Sequence, residues 1–231
     1  MSAAVHATPA LAADACAVVF DMDGTLVDTE PLYRLAFIAA GAELGVHVTA
    51  AFHDRLVGLS SRDRAPLLHV EFGAAFGTEP FFAAYRRRKA EILHDAVPLR
   101  PGALAMLLAL RRANVPCAVA TSATARTAGL ILGRTGLLPH LQAVVSRDDV
   151  AHGKPHPDTH LVAAARLGIP AAACLALEDS GPGLLAAHAA GMITVAAGST
   201  PPPPHAALLC RLIVTDLAAL HAYLPQWQLP A

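Results

Sequence analysis

The stretch AVVFDMDGTLVDTE, residues 17–30, decides how the rest of the chain is read. Its apolar opening with two adjacent valines, running straight into acids, predicts a strand over 17–23 that is buried on both faces. Asp21 and Asp23 stand two apart, so on an extended backbone both side chains leave one face and Met22 leaves the other. Ligands of parallel sheets gather at the carboxyl ends of strands. Two carboxylates held there repel each other unless a cation lies between them or one keeps a proton. Gly24 lets the chain depart sharply, and Thr25 adds a hydroxyl. A lone Asp-x-Asp also serves as a helix cap or an Asp-rich turn, so its meaning depends on what other segments bring to the same place.

Working outward, five more runs have the same strand character: CAVATS (117–122), AVVS (143–146), ACLALEDS (173–180), ITVAAG (193–198) and LIVTD (212–216). Helical patterns separate them at 101–115, 124–138, 157–169 and 181–191; Asn114 stops the first and Gly168 ends the third. Strand and helix in alternation predict right-handed βαβ units, hence an α/β fold: a mostly parallel, Rossmann-like sheet with helices on both faces. Residues 31–97 break the alternation. They hold three helical stretches (31–46, 52–74 and 79–97) and no buried strand, and Pro98 and Pro101 mark the return to the sheet. The expected organisation is a loose N-terminal tail (1–14), an α/β core from 15–30 and 98–231, and an all-helical insertion at 31–97. Pro201 to Pro204 predict a stiff extended loop.

Composition bounds the function. With 231 residues, 55% of them hydrophobic, the chain builds a core without metal or disulfide staples, and a disordered chain is excluded. A formal net charge of -1 argues against nucleic acid as a partner; the basic run Arg86 to Lys89 is read as a solvated helix face. At 5% aromatic residues, the core is expected to consist of Ala, Leu and Val. The longest weakly polar stretch, Leu184 to Gly198, is too short for a membrane span and is interrupted by His188, Gly191 and Thr194; His188 is read as a packed histidine. The first residues carry no Lys or Arg ahead of their apolar positions, a poor secretory leader. Cys16, Cys117, Cys174 and Cys210 form no CxxC pair and are read as buried reduced thiols. A cytoplasmic protein, monomeric by default and with no membrane partner, is expected.

Three other strand ends complement Asp21 and Asp23. ACLALEDS leaves its strand into Glu178 and Asp179, followed by Ser180 and a Gly-Pro-Gly turn. Acids at two parallel strand ends form an oxygen-rich pocket that suits Mg²⁺ better than Zn²⁺. CAVATS ends in Thr121 and Ser122, hydroxyls and amides ahead of a helix, which suit phosphate oxygens. Lys154, between Gly153 and Pro155 in RDDVAHGKPHPD (147–158), lies in a fixed loop. Acids, hydroxyls and one ammonium together point to phosphoryl transfer. Asp148 and Asp149 are read as loop-capping residues, and His156 and His160 as loop or helix-surface residues.

In this order the segments DMDGTLVDTE (21–30), Thr121–Ser122, Lys154 in GKPHPD (153–158) and LEDSGPG (177–183) resemble the haloacid dehalogenase superfamily. The likeness is to the branch with a small helical cap, which includes β-phosphoglucomutase and sugar-phosphate phosphatases, and it spans nearly the whole chain. The resemblance implies that Asp21 is a nucleophile forming an aspartyl-phosphate, and that Asp23 is the general acid and then the base. It implies Mg²⁺ on the Asp21 carboxylate, the Asp23 carbonyl and Asp179, with Glu178 a direct or water-mediated ligand. Thr121, the Ser122 amide and Lys154 would hold the phosphoryl oxygens. The expected activity is hydrolysis of a small organic phosphate, a hexose or sugar-acid phosphate first and phosphoglycolate as the alternative. Asp23 disfavours dehalogenation, which needs no acid there. Tyr33 stands where the mutase carries a cap histidine, which disfavours the mutase. In the cap, Arg62 within GLSSRDR (58–64), Tyr33 and Glu30 are the candidates for substrate contact.

Overall fold

The computed structural model describes residues 15–57, 59, 61–95 and 97–221. The tail expected at 1–14, and Gly58 and Ser60 of GLSSRDR, lie outside them. In chain order the elements are β1 (Ala17–Phe20), α1 (Glu30–Glu43), α2 (Ala50–Asp54), α3 (Ser61–Phe72), α4 (Thr78–Asp95), α5 (Ala103–Arg112), β2 (Cys117–Ala120), α6 (Ala125–Arg134) and β3 (Ala143–Val145). There follow α7 (Asp158–Leu167), β4 (Cys174–Glu178), α8 (Gly181–Ala189), β5 (Ile193–Ala197), α9 (Pro204–Ala207), β6 (Leu212–Val214) and α10 (Leu217–His221).

The strands form one parallel sheet in the order β3-β2-β1-β4-β5-β6. All six expected strands are present, and each ends one to three residues before the reading placed it. β1 sits at the centre, with Val18 paired to Cys117 on one side and Leu175 on the other. The chain reverses direction across the sheet between β1 and β4, and such a switch point opens a crevice at the carboxyl ends of the strands. Asp21 follows β1 there and Glu178 ends β4. β1, β2 and β4 are buried at every residue, as continuous apolar runs require. The side chains packed on the sheet are small: Ala17, Ala118, Ala120 and Ala176 meet Ala163, Ala164 and Ala187 of α7 and α8.

The chain divides into two compact units, one running to Asp28 and resuming at Pro98, the other Thr29–Val97. The second unit holds α1 to α4. Its second expected helix is two helices: Thr49 caps α2 by accepting from Phe52 N, and turns at His53–Leu56 and Leu56–Leu59 then break the run before α3. Its core departs from the expected Ala, Leu and Val. Six of the seven phenylalanines lie here, and Phe37 meets Phe81 edge-on at 4.7 Å and Tyr85 at 5.2 Å. Short helices without a sheet need large rings to fill the space between them.

Two smaller readings are corrected. His188 is exposed, since Gly183, Leu184, Ala186 and Ala187 take the buried face of α8. Pro204 opens α9, so the extended proline loop is one residue shorter. Of the four cysteines expected to be buried, Cys16 and Cys210 are only half-buried; Cys117 and Cys174 are buried, and burial pushes their thiols up to about 12 and about 11. No helix of the described residues is long and apolar enough to cross a membrane.

The loop leading from β3 toward Lys154 is anchored by Asp149. Its carboxylate accepts from the Ser146 amide at 2.8 Å and the Ser146 hydroxyl at 2.5 Å, and Arg166 Nη2 donates to it at 2.5 Å. These bonds, the Ser146 hydroxyl first, hold the acid down at about 2. Because its folded pKa is depressed, the stability it contributes is complete above the ordinary carboxylate range and is lost as pH falls through about 2. Asp149→Ala is therefore expected to cost about 1–2 kcal/mol at neutral pH. Urea denaturation at pH 7 and pH 3 checks this: the gap between wild type and variant narrows at the lower pH.

Candidate active site

Four segments meet at the carboxyl ends of β1, β2 and β4. Asp21 is 6% exposed and follows the last residue of β1. Lys154, from the loop before α7, buries its side chain and places Nζ 2.5 Å from Asp21 Oδ1, 2.6 Å from Glu178 Oε1 and 2.9 Å from the carbonyl of Ala120 at the end of β2. It donates hydrogen bonds to Asp21 and to the Ala120 carbonyl and pairs with Glu178 by charge. Met22, in the bend that follows, is buried, and its carbonyl accepts from Leu26 N and Val27 N.

Asp21, Glu178 and Asp179 each offer an oxygen within 4.8 Å of the others. Close packing makes this possible. Gly24, at φ 86°, turns the chain after Asp23 where a Cβ would lie 2.0 Å from Asp179 Oδ2. A Cβ at Gly183, in the first turn of α8, would lie 1.8 Å from Glu178 Oε2. Ser180 caps α8 by accepting from Gly183 N at 3.1 Å, which fixes that turn against the carboxylate.

The charges do not balance. Burial drives Asp21 well above the carboxylate range; Lys154 opposes this, and the charges of Glu178, Asp179 and Asp23 add to it. Burial and then Glu178 push Asp179 up to about 7. Burial also works against Glu178, but Lys154 and then His160 outweigh it and hold that acid below its usual value. Burial alone would depress the Lys154 ammonium, yet Asp21 and Glu178 hold it above the ordinary lysine range. Lys154 is thus shared between Asp21 and Glu178, and three buried or half-buried acids beside one ammonium leave the cluster short of positive charge. A hard divalent cation among three carboxylate oxygens supplies that charge, so the donor set fits one.

Thr121, after β2, is fully buried, and its hydroxyl accepts from Ala123 N at 3.0 Å, shaping the turn on which Ser122 stands exposed. Asp23 is partly exposed and bridges to Val27. Asp148 accepts from Ala125 N and so caps α6.

The three substrate-contact candidates lie in the helical unit. Arg62 is exposed on α3. Tyr33 lies on α1 with Lys89 Nζ 3.9 Å from its ring centre. Glu30 opens α1, its carboxylate 3.6 Å from Nδ1 of His53, a buried histidine that the sequence reading passed over. His156 is exposed and packs on His152 at 4.9 Å. His160 is the clear correction. Expected on a surface, it is completely buried, with Nε2 3.2 Å from Glu178 Oε1.

A family model described as haloacid dehalogenase-like hydrolase matches residues 17–191. The phosphorylated carbohydrates phosphatase of Thermotoga maritima is 32% identical over 176 residues, 76% of this chain and 82% of that protein. The β-phosphoglucomutase of Bacillus subtilis is 30% identical over 195 residues, 79% of this chain and 83% of that protein. A crystal structure of a haloacid dehalogenase family hydrolase from Deinococcus radiodurans, with bound phosphate and sodium, superposes with a TM-score of 0.77 at 27% identity. That match covers 95% of this chain and all of the other.

Proposed function

The chain belongs to the haloacid dehalogenase-like hydrolases, and from that premise we propose that it is a phosphatase that hydrolyses a small sugar or sugar-acid phosphate through an aspartyl-phosphate, with Mg²⁺. The observation that carries the proposal is the contact of Lys154 with both Asp21 and Glu178 beside Asp179, at the switch point of the sheet.

In this reading a carboxylate oxygen of Asp21 attacks phosphorus. The bond from phosphorus to the sugar oxygen breaks, and Asp23 gives that oxygen its proton. Asp23 then takes a proton from water, the water oxygen attacks phosphorus, and the bond to Asp21 breaks to release inorganic phosphate. Lys154 fixes the rotation of the Asp21 carboxylate and neutralises phosphoryl oxygens, and Thr121 with the Ser122 amide receives those oxygens. Asp21, Glu178, Asp179 and the Asp23 carbonyl would hold Mg²⁺, which supplies charge neutralisation of the phosphoryl group. Arg62 is proposed to contact the substrate's polar end, and Tyr33 and Glu30 are proposed as further substrate contacts. Four free cysteines, Cys117 and Cys174 among them buried, support a cytoplasmic setting.

The likeness to a phosphoglucomutase keeps a mutase as the second reading. Tyr33 argues against it: a phenol whose ring carries Lys89 is a poor replacement for an imidazole in moving protons near neutral pH.

The test is a panel of sugar and organic-acid phosphates incubated with purified protein and Mg²⁺, reading released phosphate. One or more should be hydrolysed, and EDTA should stop the release. Full activity in EDTA would contradict the cation reading. Conversion of β-glucose 1-phosphate to glucose 6-phosphate without phosphate release would favour the mutase.

A further inference from the structure

One buried polar group faces the acid cluster without belonging to the machinery described above. His160, in the first turn of α7, is 0% exposed, and its Nε2 lies 3.2 Å from Glu178 Oε1. Neither ring nitrogen has an aligned hydrogen-bond partner among the described residues, and the same holds for both oxygens of Glu178. An imidazole buried this way is costly relative to a satisfied one. Its neighbours on α7, Ala163 and Ala164, belong to the alanine-lined core, so an apolar side chain would serve packing at least as well. Such an exception calls for an explanation at the one charged group it touches.

We propose that His160 is a positioning residue that pins the Glu178 carboxylate for cation binding. Lys154 approaches Oε1 at 2.6 Å, and a single contact leaves a carboxylate free to rotate about it. His160 adds a second contact to the same oxygen, while the backbone at Gly183 closes the space behind Oε2. Glu178 is thereby held in the orientation that keeps its oxygen within 4.8 Å of Asp21 and Asp179. Groups that orient a metal-binding side chain from behind contribute about 10–100-fold to metal affinity. The inference rests on the cation reading of the three acids.

The test is Mn²⁺ binding to the full chain without substrate, read by electron paramagnetic resonance of the free ion. His160→Met keeps bulk and removes the nitrogen; its Kd for Mn²⁺ should rise about 10–100-fold. His160→Gln returns a polar nitrogen and should recover most of the affinity. Melting in EDTA establishes that both variants fold, and His160→Phe replaces the methionine variant should that one not fold. Wild-type affinity in the methionine or phenylalanine variant overturns the proposal. So does a folded glutamine variant as weak as the apolar one, because the role is then packing alone. Wild-type protein that binds no Mn²⁺ would instead sink the cation reading itself.

Discussion

Asp21→Asn will reduce turnover of any phosphate monoester by about 10⁴-fold or more, yet leave the metal-free fold as stable as before or more so. The amide oxygen of asparagine carries no negative charge to attack phosphorus, while it still accepts from Lys154. The stability half follows from the sign of the titration. Burial and neighbouring charges raise the folded pKa of Asp21 well above its ordinary value. Stability associated with the protonated acid is therefore fully present below that value and is lost as pH rises through the higher folded one. Asparagine never ionises and escapes the loss. In EDTA the variant should melt at or above wild type at pH 8, with the gap closing toward pH 4. Released phosphate under Mg²⁺ and a pair of melting curves suffice. Retained turnover would remove the nucleophile, and a much lower melting point at pH 8 would show that the charge of Asp21 supports the fold.

Lys154→Met is the second large effect, and it strikes the fold as well as the reaction. The side chain is 4% exposed and bridges two carboxylates that are 8% and 0% exposed. Removing one partner of a buried ion pair costs about 3–5 kcal/mol, because the charge left behind has no water to turn to. In wild type the raised pKa of Lys154 means its contribution is complete below the ordinary lysine pKa and is lost only as pH rises through the still higher folded value. In the variant, Glu178 loses the charge that holds its pKa down, and burial then drives it up. The penalty should accordingly shrink as pH falls and the acids take up protons. Urea denaturation in EDTA at pH 8 and pH 5 measures it, and phosphate release should fall by about 10²–10³-fold. A variant as stable as wild type at pH 8 would show that the cluster carries no net buried charge.

What was legible in the sequence was the chemistry at the strand ends. An apolar run that stops at Asp21, or at Glu178 and Asp179, declares both a buried strand and a polar crevice beyond it, since strand length and burial are local properties. The alternation with helices made the parallel sheet legible for the same reason. His160 was not legible. Its pattern on α7 is that of any polar residue in a helix, and its burial depends on Glu178, which joins it only through sheet order. The aromatic core of the helical unit was hidden by a chain-wide average: 5% aromatic residues overall conceals six phenylalanines concentrated in 29–97. The break between α2 and α3 was missed because apolar positions continue through it, so periodicity alone joined the two.

Gly24 and Gly183 bear on how this site can be inherited. Neither carries a functional group, yet the room each leaves is filled by a carboxylate. Most single-base changes in a glycine codon introduce a side chain, and at these two positions even a methyl group lands on an acidic oxygen. The acids themselves are thus only part of what selection must guard. Drift at two chemically silent positions would disable the protein as surely as loss of the nucleophile, while every reactive residue remained in place for a motif search to find.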